Sequence, residues 1–258
     1  MNGKSLVILL TSMFTLAGCG EEHSVTQQKD VEHSKVEVGA AGQPSLRPTT
    51  APKGDRSVPW EDYVDLNSLP HGQLLSYLYV AKADHQLSND QKLGSLSLPY
   101  MSESDAFKKQ ELSRTELPLI DHQLDRLRGH DYYSVPVSTY AEYPLNLSNI
   151  LVGPYSFDSA SFPVTSYGQY CWQAPLRNQQ GITLLIQPSS VPCSISVEDE
   201  GLARQLESVR ANGALSVQGV VYLHIPGVVN GQLEAQVMGV QLDLMDSQSQ
   251  LRIAAVKL

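Results

Sequence analysis

Between residues 58 and 130, apolar residues recur at spacings of three and four, which is typical of amphipathic helices. The first predicted helix begins at a cap supplied by Asn67 or Ser68 and ends near Ala83. Its inward face carries four residues: Leu74, Leu75, Leu78 and Ala81. A face of this kind requires an apolar partner, which the later part of the chain must supply.

Further helical stretches are predicted before residue 130. A short one covers Asp90–Ser97 and stops at Pro99. The sequence Ser102-Glu103-Ser104-Asp105 resembles a capping box that opens a second helix. Because proline disfavours a helix interior, a new helix is predicted to start at Pro118 and to end at Gly129.

From Tyr132 onward, short runs of β-branched and aromatic residues alternate with Pro, Gly, Ser and Asn, which is typical of antiparallel strands. Five such runs come first: Tyr132–Val137, Asn149–Phe157, Tyr167–Gln173, Ile182–Gln187 and Cys193–Val197. One helix is predicted after them, with Ser196 or Asp199 as its cap and Asn212-Gly213 at its end.

The C-terminal strands have the clearest alternation. In Leu215–Ile225, apolar and polar side chains point to opposite faces. In Leu233–Met245 the alternation changes phase at Gly239, which predicts a β-bulge that keeps one continuous buried face. Residues 246–250 are a predicted hairpin loop, and residues 251–258 are the last predicted strand.

These patterns predict one α+β domain over residues 58–258. Its helical part, residues 58–130, comes first and packs on a C-terminal antiparallel sheet within residues 131–258. The sheet is expected to form a sandwich or a partial barrel.

The N-terminus has the layout of an export signal. Lys4 precedes an apolar run from Leu6 to Leu16, and small residues follow at once. The run is shorter than the roughly 20 residues that span a bilayer. Its end, Leu16-Ala17-Gly18-Cys19, resembles the lipobox of bacterial lipoproteins. An uncleaved anchor, or an ordinary signal in which Cys19 is incidental, are the alternatives.

The resemblance to lipoproteins implies that residues 1–18 are a signal peptide and that Cys19 carries a diacylglyceryl group and an acylated (for instance palmitoylated) amino group. In the sorting rule of such proteins, aspartate after the cysteine favours the inner membrane. Gly20 therefore implies a lipid anchor in the outer membrane, facing the periplasm. Residues 19–57 are a predicted flexible tether, because residues 20–57 contain no aromatic residue and many polar ones.

Cys171 and Cys193 are the two cysteines that lipidation leaves over. Outside the cytoplasm a pair of thiols tends to oxidise, and two cysteines allow one intramolecular connectivity. The sequence therefore predicts a disulfide between them. Two buried free thiols are the alternative.

The net charge of −9 is spread along the chain, and no segment is basic. This distribution argues against binding to nucleic acid or to anionic lipid surfaces. The sequence contains no nucleotide-cradling glycine loop and no serine-nucleophile motif. We predict no cofactor.

Titratable residues give few candidates for chemistry. His122 lies beside Asp121, and an acid–base or metal role competes with a plain helix-surface position. The run Glu198-Asp199-Glu200 could bind a cation, but it also lies at a predicted helix start, where negative charge is favourable. We predict no metal site.

Aromatic residues, mainly tyrosines, are concentrated in residues 132–172. Such side chains can bind a glycan, a peptide or a protein, or they can simply bury their rings in the sheet. The candidate ligand-binding residues are Tyr143, Tyr155, Tyr170, Trp172 and Arg177.

Three short motifs resemble an exported bacterial family whose members carry a domain of unknown function. They are Asp105-Ala106-Phe107-Lys108, Tyr155-Ser156-Phe157-Asp158 with Phe162-Pro163, and Ala203-Arg204. The resemblance covers about residues 60–258 and implies a single α+β unit without an assigned activity.

Two functional hypotheses follow. The first is a non-enzymatic envelope lipoprotein that binds an envelope protein or a glycan through its tyrosine-rich face. The second is an envelope hydrolase with an unrecognised active site, in which His122, His130 or His224 takes part.

Overall fold

Five α-helices and ten β-strands form the part of the chain that the computed structural model describes, residues 53–83, 86–139, 143–148, 150–166 and 170–258. The helices are α1 (Gln73–Lys82), α2 (Asn89–Leu96), α3 (Leu98–Ser102), α4 (Ala106–Arg128) and α5 (Glu200–Ala211). The strands are β1 (Val64–Asp65), β2 (Tyr132–Ser138), β3 (Ile150–Val152), β4 (Ser161–Ser166), β5 (Pro175–Arg177), β6 (Thr183–Gln187), β7 (Ser194–Ser196), β8 (Leu215–Val229), β9 (Gln232–Asp246) and β10 (Leu251–Lys257). The predicted lipobox, Gly20 and most of the predicted tether lie outside the described residues.

Seven strands form an open mixed sheet in the order β1-β2-β8-β9-β6-β5, and β10 pairs with the C-terminal half of β9. Two neighbours, β1–β2 and β6–β9, are parallel, and the other pairs of this sheet are antiparallel. Strands β3, β4 and β7 form a second, antiparallel sheet. The predicted α+β class, with N-terminal helices packed on a C-terminal sheet, is confirmed.

The main sheet separates two packed regions. On its inner face, Val135, Val221 and Val240 are fully buried, and α1, α5 and β3 all contact β8. On its outer face, Tyr222 and His224 are also buried, because the short helical turn at Trp60–Asp62 covers this end of the sheet. The rings of Trp60 and Tyr222 stack with centroids 4.4 Å apart.

The long hairpin of β8 and β9 confirms the predicted bulge. Tyr222 pairs with Gly239, whereas the next residue, Leu223, pairs with Val237, so Met238 is an extra residue in β9. This insertion restores the inward orientation of the apolar residues on both sides of it. The change of phase in the sequence therefore located the irregularity correctly.

The start of the first helix differs from the prediction. A short turn at Pro70–Gly72 precedes α1, which has no side-chain cap. Asn67 instead joins a later loop: its Nδ2 donates to the carbonyl of Leu145 at 2.9 Å, and its Oδ1 accepts the N–H of Leu145 at 3.0 Å. A long-range amide pair thus replaced the predicted local cap.

The helix predicted over Asp90–Ser97 does end before Pro99, as α2, but the boundary predicted at Pro118 is wrong. Pro99 lies in the first turn of α3, where its missing N–H costs no helical hydrogen bond. The side chain that caps α4 is Asp105, not Ser102. Helix α4 then runs through Pro118, which is exposed, so the carbonyl that loses its partner there lies on the solvent side.

Two predictions for the strands need correction. The predicted strand Tyr167–Gln173 is wrong for its described residues 170–173, which contain no strand, and β4 ends before them. The short strand β5 was not predicted at all. By contrast, α5 begins at its predicted cap Asp199, whose Oδ1 accepts the N–H of Leu202 at 2.6 Å.

The predicted disulfide is confirmed. Cys171 and Cys193 are joined, with Cα atoms 5.7 Å apart. The adjacent Trp172 is fully buried, and its Nε1 donates to the carbonyl of Pro192 at 3.1 Å. The disulfide and the Trp172 hydrogen bond together fix the loop that precedes β5 against the loop that precedes β7.

Contacts with the folded part begin before residue 58. The backbone N–H of Asp55 donates to the hydroxyl of Tyr132 at 2.9 Å. Gly54 lies so close to His224 that a Cβ on it would come within 2.8 Å of the imidazole. Residues 54–57 therefore belong to the folded part, although the sequence placed them in the tether.

Candidate functional site

A cleft of about 780 Å³ lies between helix α5 and the turn that joins β3 to β4. Ala203 and Leu206 are buried on the inner side of α5, and the helix face that includes Ala203 lines the cleft. The helix residues of the lining recur at spacings of three and four, and so share one face. They are Glu200, Ala203, Arg204, Glu207, Ser208 and Ala211.

The opposite wall of the cleft is the turn from Tyr155 to Ala160. Ser156 and Ser161 close this turn with two backbone hydrogen bonds, of 2.8 and 3.2 Å. Ala160 has a left-handed backbone, with φ of 45°, which a side chain larger than glycine adopts only when the surrounding structure enforces it. The turn is thus held in one conformation.

Tyr155 joins this wall to α5. Its backbone N–H donates to Oε2 of Glu207 at 3.2 Å, and its hydroxyl donates to the carbonyl of Val197 at 3.1 Å, just before the helix. Its ring is partly buried against Phe162. Tyr155 therefore shapes the cleft and leaves only part of its ring available to a ligand.

Phe157 is the exposed apolar residue of the cleft. Its side chain is 89% exposed, and its ring meets that of Tyr155 edge to face with centroids 5.2 Å apart. The ring of Phe157 keeps apolar surface in water, and covering that surface with a partner would be favourable by roughly 25 cal/mol per Å². Aromatic residues, phenylalanine included, are enriched at protein–protein interfaces, so Phe157 is a candidate anchor for a partner.

The charges at the cleft are mainly acidic. Arg210 forms a double hydrogen bond to Glu207, at 2.6 and 2.8 Å, and holds the pKa of that carboxyl below its ordinary value. Arg204 lies 3.5 Å from Glu200 in an exposed pair. Among the described residues, Glu198 has no side-chain partner, so it leaves negative charge at the mouth of the cleft.

Only one of the five predicted ligand-binding residues lines this cleft, namely Tyr155. Tyr170 is partly buried, and its hydroxyl donates to the carbonyl of Val191 at 2.8 Å and lies 3.0 Å from the carbonyl of Ser189. Trp172 is buried beside the disulfide. Arg177 is exposed on β5, with its guanidinium beside Gly181.

Tyr143 lies elsewhere, and its side chain is 51% exposed. It lines a groove of about 370 Å³ on the outer face of the main sheet, together with Ser134, Gln218 and Asp243. The five predicted residues thus do not share one surface.

The residues that sequence reasoning missed are on α5 and at the tip of the turn. Glu207, Ser208 and Ala211 carry no catalytic signature, and only their spacing relative to the buried Ala203 places them on the cleft. Phe157 and Ala203-Arg204 belonged to separate motifs of the family resemblance. The structure brings these motifs together at one cleft.

The three histidines proposed for a hydrolase are not assembled with a serine and a carboxylate in the described part of the chain. His122 is exposed on α4. His130 contacts the carbonyl of Tyr132 through Nε2 at 2.5 Å. His224 is buried, and its Nδ1 has no hydrogen-bond partner among the described residues.

No group of three His, Cys, Asp or Glu side chains in the described ranges is placed to hold a metal ion. In the run Glu198-Asp199-Glu200, the central carboxylate caps α5. This is the role at a helix start that the sequence offered as the alternative to a cation site. Among the described helices, none combines the length and the apolar character that crossing a membrane requires.

Comparison with known proteins found no matching family, no similar characterised protein and no similar solved structure. The resemblance to bacterial lipoproteins and to an exported family stays a prediction. The chemistry of the cleft is therefore the basis for the function that we propose.

Proposed function

We propose that this protein is a non-enzymatic, lipid-anchored envelope protein that binds a segment of a partner protein in the α5 cleft. The observation that carries the proposal is the exposed ring of Phe157 beside a cavity of about 780 Å³. Cavities that hold ligands measure roughly 300–1,000 Å³ and present a few fixed polar groups among apolar ones.

The cleft favours an apolar side chain flanked by positive charge. Tyr155, Phe157 and the alanines of α5 supply apolar surface. The partnerless Glu198 and the exposed Glu200 place carboxylates at one end. Complementary charge at the edge of an interface speeds encounter and excludes acidic partners.

The proposed anchor sets where this binding takes place. If Cys19 carries lipid, the segment between Cys19 and the described domain limits the distance of the cleft from the membrane. The lipobox resemblance and the adjacent Gly20 support the outer membrane. Several acyl chains on one cysteine would hold the protein stably there.

A glycan is the second candidate ligand, and the groove beside Tyr143 favours it. A half-exposed tyrosine ring can stack on a sugar, and Ser134, Gln218 and Asp243 can exchange hydrogen bonds with its hydroxyl groups. That groove has half the volume of the α5 cleft, about 370 against 780 Å³. We therefore place the partner protein first.

The test is site-specific photo-crosslinking in the native cells. A photoreactive residue at Ser208, which is exposed in the cleft, should give one dominant adduct with a partner protein. Phe157→Ser should abolish the adduct, because it removes the apolar anchor. Glu198→Lys should weaken it by reversing the charge at the cleft mouth.

Phe107 supplies the matched control. It is also a phenylalanine, 81% exposed, and it lies on α4 outside the cleft. Phe107→Ser should leave the adduct unchanged. An adduct that survives Phe157→Ser, or that is lost equally in both variants, would contradict docking at the cleft.

A further inference from the structure

Residues 54–57 form a short strap that lies over His224 on the outer face of the main sheet. A Cβ built on Gly54 would come within 2.8 Å of Cβ and Cγ of His224, and within 2.7 Å of Sδ of Met238. A side chain at residue 54 would therefore displace the imidazole or the strap. With this cover in place, His224 is only 4% exposed.

The strap is attached to the rest of the fold by few contacts. The backbone N–H of Asp55 donates to the hydroxyl of Tyr132 at 2.9 Å, and Nη2 of Arg56 donates to Oγ of Ser190 at 2.6 Å in an exposed position. The strap takes part in no strand pairing within the described part of the chain. A segment with so few buried contacts opens locally at a much smaller free energy than the sheet needs to unfold.

The imidazole of His224 has no acceptor for a second proton in the closed structure. Its Nδ1 is shielded from solvent and has no hydrogen-bond partner among the described residues. An imidazolium carries two N–H donors, and a buried charge without a partner is strongly unfavourable. Protonation therefore favours any state in which water reaches this ring. Because β8 is paired with Tyr132 on one side and with Gln236 on the other, the strap is the cover that can move.

The nearest charges do not replace water as a partner for the imidazolium. Burial is the largest influence on the pKa of His224 and lowers it, while Asp131 raises it and Lys82 lowers it. Asp131 and Lys82 form an ion pair with each other, and the side chain of Lys82 is nearly buried in it. The carboxylate of Asp131 is thus already neutralised.

The other groups packed against this imidazole offer no free counter-charge in the described ranges. Tyr132 of β2 contributes its ring, with centroids 5.2 Å apart, and β9 contributes the thioether of Met238. In the strap, the carboxylate of Asp55 already accepts two hydrogen bonds from Ser57, and Arg56 is itself a cation.

We propose that residues 54–57 are a pH-sensitive strap, which is closed over neutral His224 and detaches from the sheet when the imidazole is protonated. Detachment brings water to the ring and breaks the hydrogen bond between Asp55 and Tyr132. It also releases four residues, which span roughly 14 Å when extended.

This device goes beyond the proposed docking function, because it controls how the folded part is joined to the segment before it. Its effect on reach rests on the proposed lipid anchor: with lipid on Cys19, acid would let the α5 cleft lie farther from the membrane. Opening of the strap itself depends on neither proposal, and loss of the photo-crosslink at Ser208 would leave it standing.

The test is amide hydrogen exchange on the full chain bearing Cys19→Ser, which needs no detergent. Exchange is expressed as protection factors, so that the intrinsic pH dependence of the chemistry is removed. From about pH 7.5 to pH 5, protection of the Asp55 amide should fall about threefold or more, and by no more than about tenfold per pH unit, the limit for one proton. It should stay about tenfold or more below that of Val221, which is fully buried in β8.

A pair of glycine variants tests the contact between the strap and the ring. Gly54→Ala should lower the protection of Asp55 already at neutral pH, because the added Cβ meets the imidazole. Gly94→Ala is the matched control, since a Cβ at Gly94 meets no heavy atom within 4 Å. It should leave the protection of Asp55 unchanged.

A pair of histidine variants tests the proton. His224→Leu should make the protection of Asp55 independent of pH, whereas His122→Gln, at an exposed position on α4, should keep the wild-type dependence. Protection of Asp55 that does not change with pH in the wild type, or that still changes in His224→Leu, would overturn the proposal. Equal protection at Asp55 and Val221 would also overturn it, because His224 would then meet water only when the whole sheet unfolds.

Discussion

The backbone N–H of Tyr155 donates to Oε2 of Glu207 at 3.2 Å, and this bond connects the two walls of the α5 cleft. The same carboxylate accepts two hydrogen bonds from Arg210, one turn further along the helix. Glu207 thus positions the turn that carries Phe157, although no motif in the sequence distinguishes it from Glu200, the other acidic residue of α5.

Glu207→Ala should loosen the turn without unfolding the domain. The variant loses a bond to a backbone donor and a partly exposed ion pair, which together correspond to about 1 kcal/mol. Urea denaturation should report this loss of stability. Amide hydrogen exchange at Tyr155 should become faster than in the wild type.

Glu200→Ala provides the control for this prediction. Glu200 forms an ion pair of 3.5 Å with Arg204, and both side chains are more than 80% exposed, so the pair contributes little. Exchange at Tyr155 should stay as in the wild type. Equal exchange rates in the Glu207 and Glu200 variants would show that Glu207 does not hold the turn.

The disulfide should contribute substantially to stability. It closes a loop with a sequence separation of 22 residues, which corresponds to about 3 kcal/mol in the chain-entropy model. Cys171→Ser combined with Cys193→Ser should lower the free energy of unfolding by about this amount. Cys171 is fully buried, so part of the loss comes from placing a hydroxyl in an apolar site.

Reduction of the wild-type protein tests the same bond without a substitution. The urea midpoint of the reduced protein should fall close to that of the double variant. A reduced protein as stable as the oxidised one would mean that the loop is fixed by packing around Trp172 and not by the covalent link.

The sequence correctly predicted the elements whose structure depends on residues close together along the chain. The alternation in β8 and β9 and its change of phase at Gly239 follow from the two faces of one strand pair, and the structure has both. The cap of α5 is likewise local, since Asp199 bonds to a backbone N–H three residues away.

The incorrect predictions of helix boundaries have their causes in the tertiary structure, which a local sequence pattern does not report. Asn67 could cap a helix, but it pairs with Leu145, 78 residues away, and no local pattern reports that contact. Pro118 was read as a boundary because proline removes a helical hydrogen bond, yet its exposed position makes the loss tolerable in α4.

The sequence could not locate the candidate site for the same reason. Tyr155 and α5 meet only through the tertiary fold, so the aromatic stretch could not be divided into buried and exposed members beforehand. Trp172 proved to be core and Phe157 proved to be surface, although both lie in strand-like sequence.

His224 is buried on the outer face of the main sheet, between the segment at Gly54 and the ring of Tyr132. Burial lowers the pKa of His224 below its ordinary value of 6.5; nearby Asp131 acts in the opposite direction, and Lys82 adds to the lowering. The folded protein therefore prefers the neutral imidazole, whereas the unfolded chain binds a proton at about pH 6.5. The stability that depends on neutral His224 is complete above that pH.

The free energy of unfolding should consequently decrease as the pH falls from about 6.5 towards the lowered pKa of His224, because only the unfolded chain gains a proton there. Urea denaturation followed by circular dichroism, at several values between about pH 7.5 and pH 5, measures this slope. His224→Leu should lose most of the slope, because it removes the group that titrates. His122→Gln, which changes an exposed histidine on α4, should keep it. If His224→Leu retained the full slope, another group would be responsible, and the buried imidazole would play no part in the acid sensitivity of the fold.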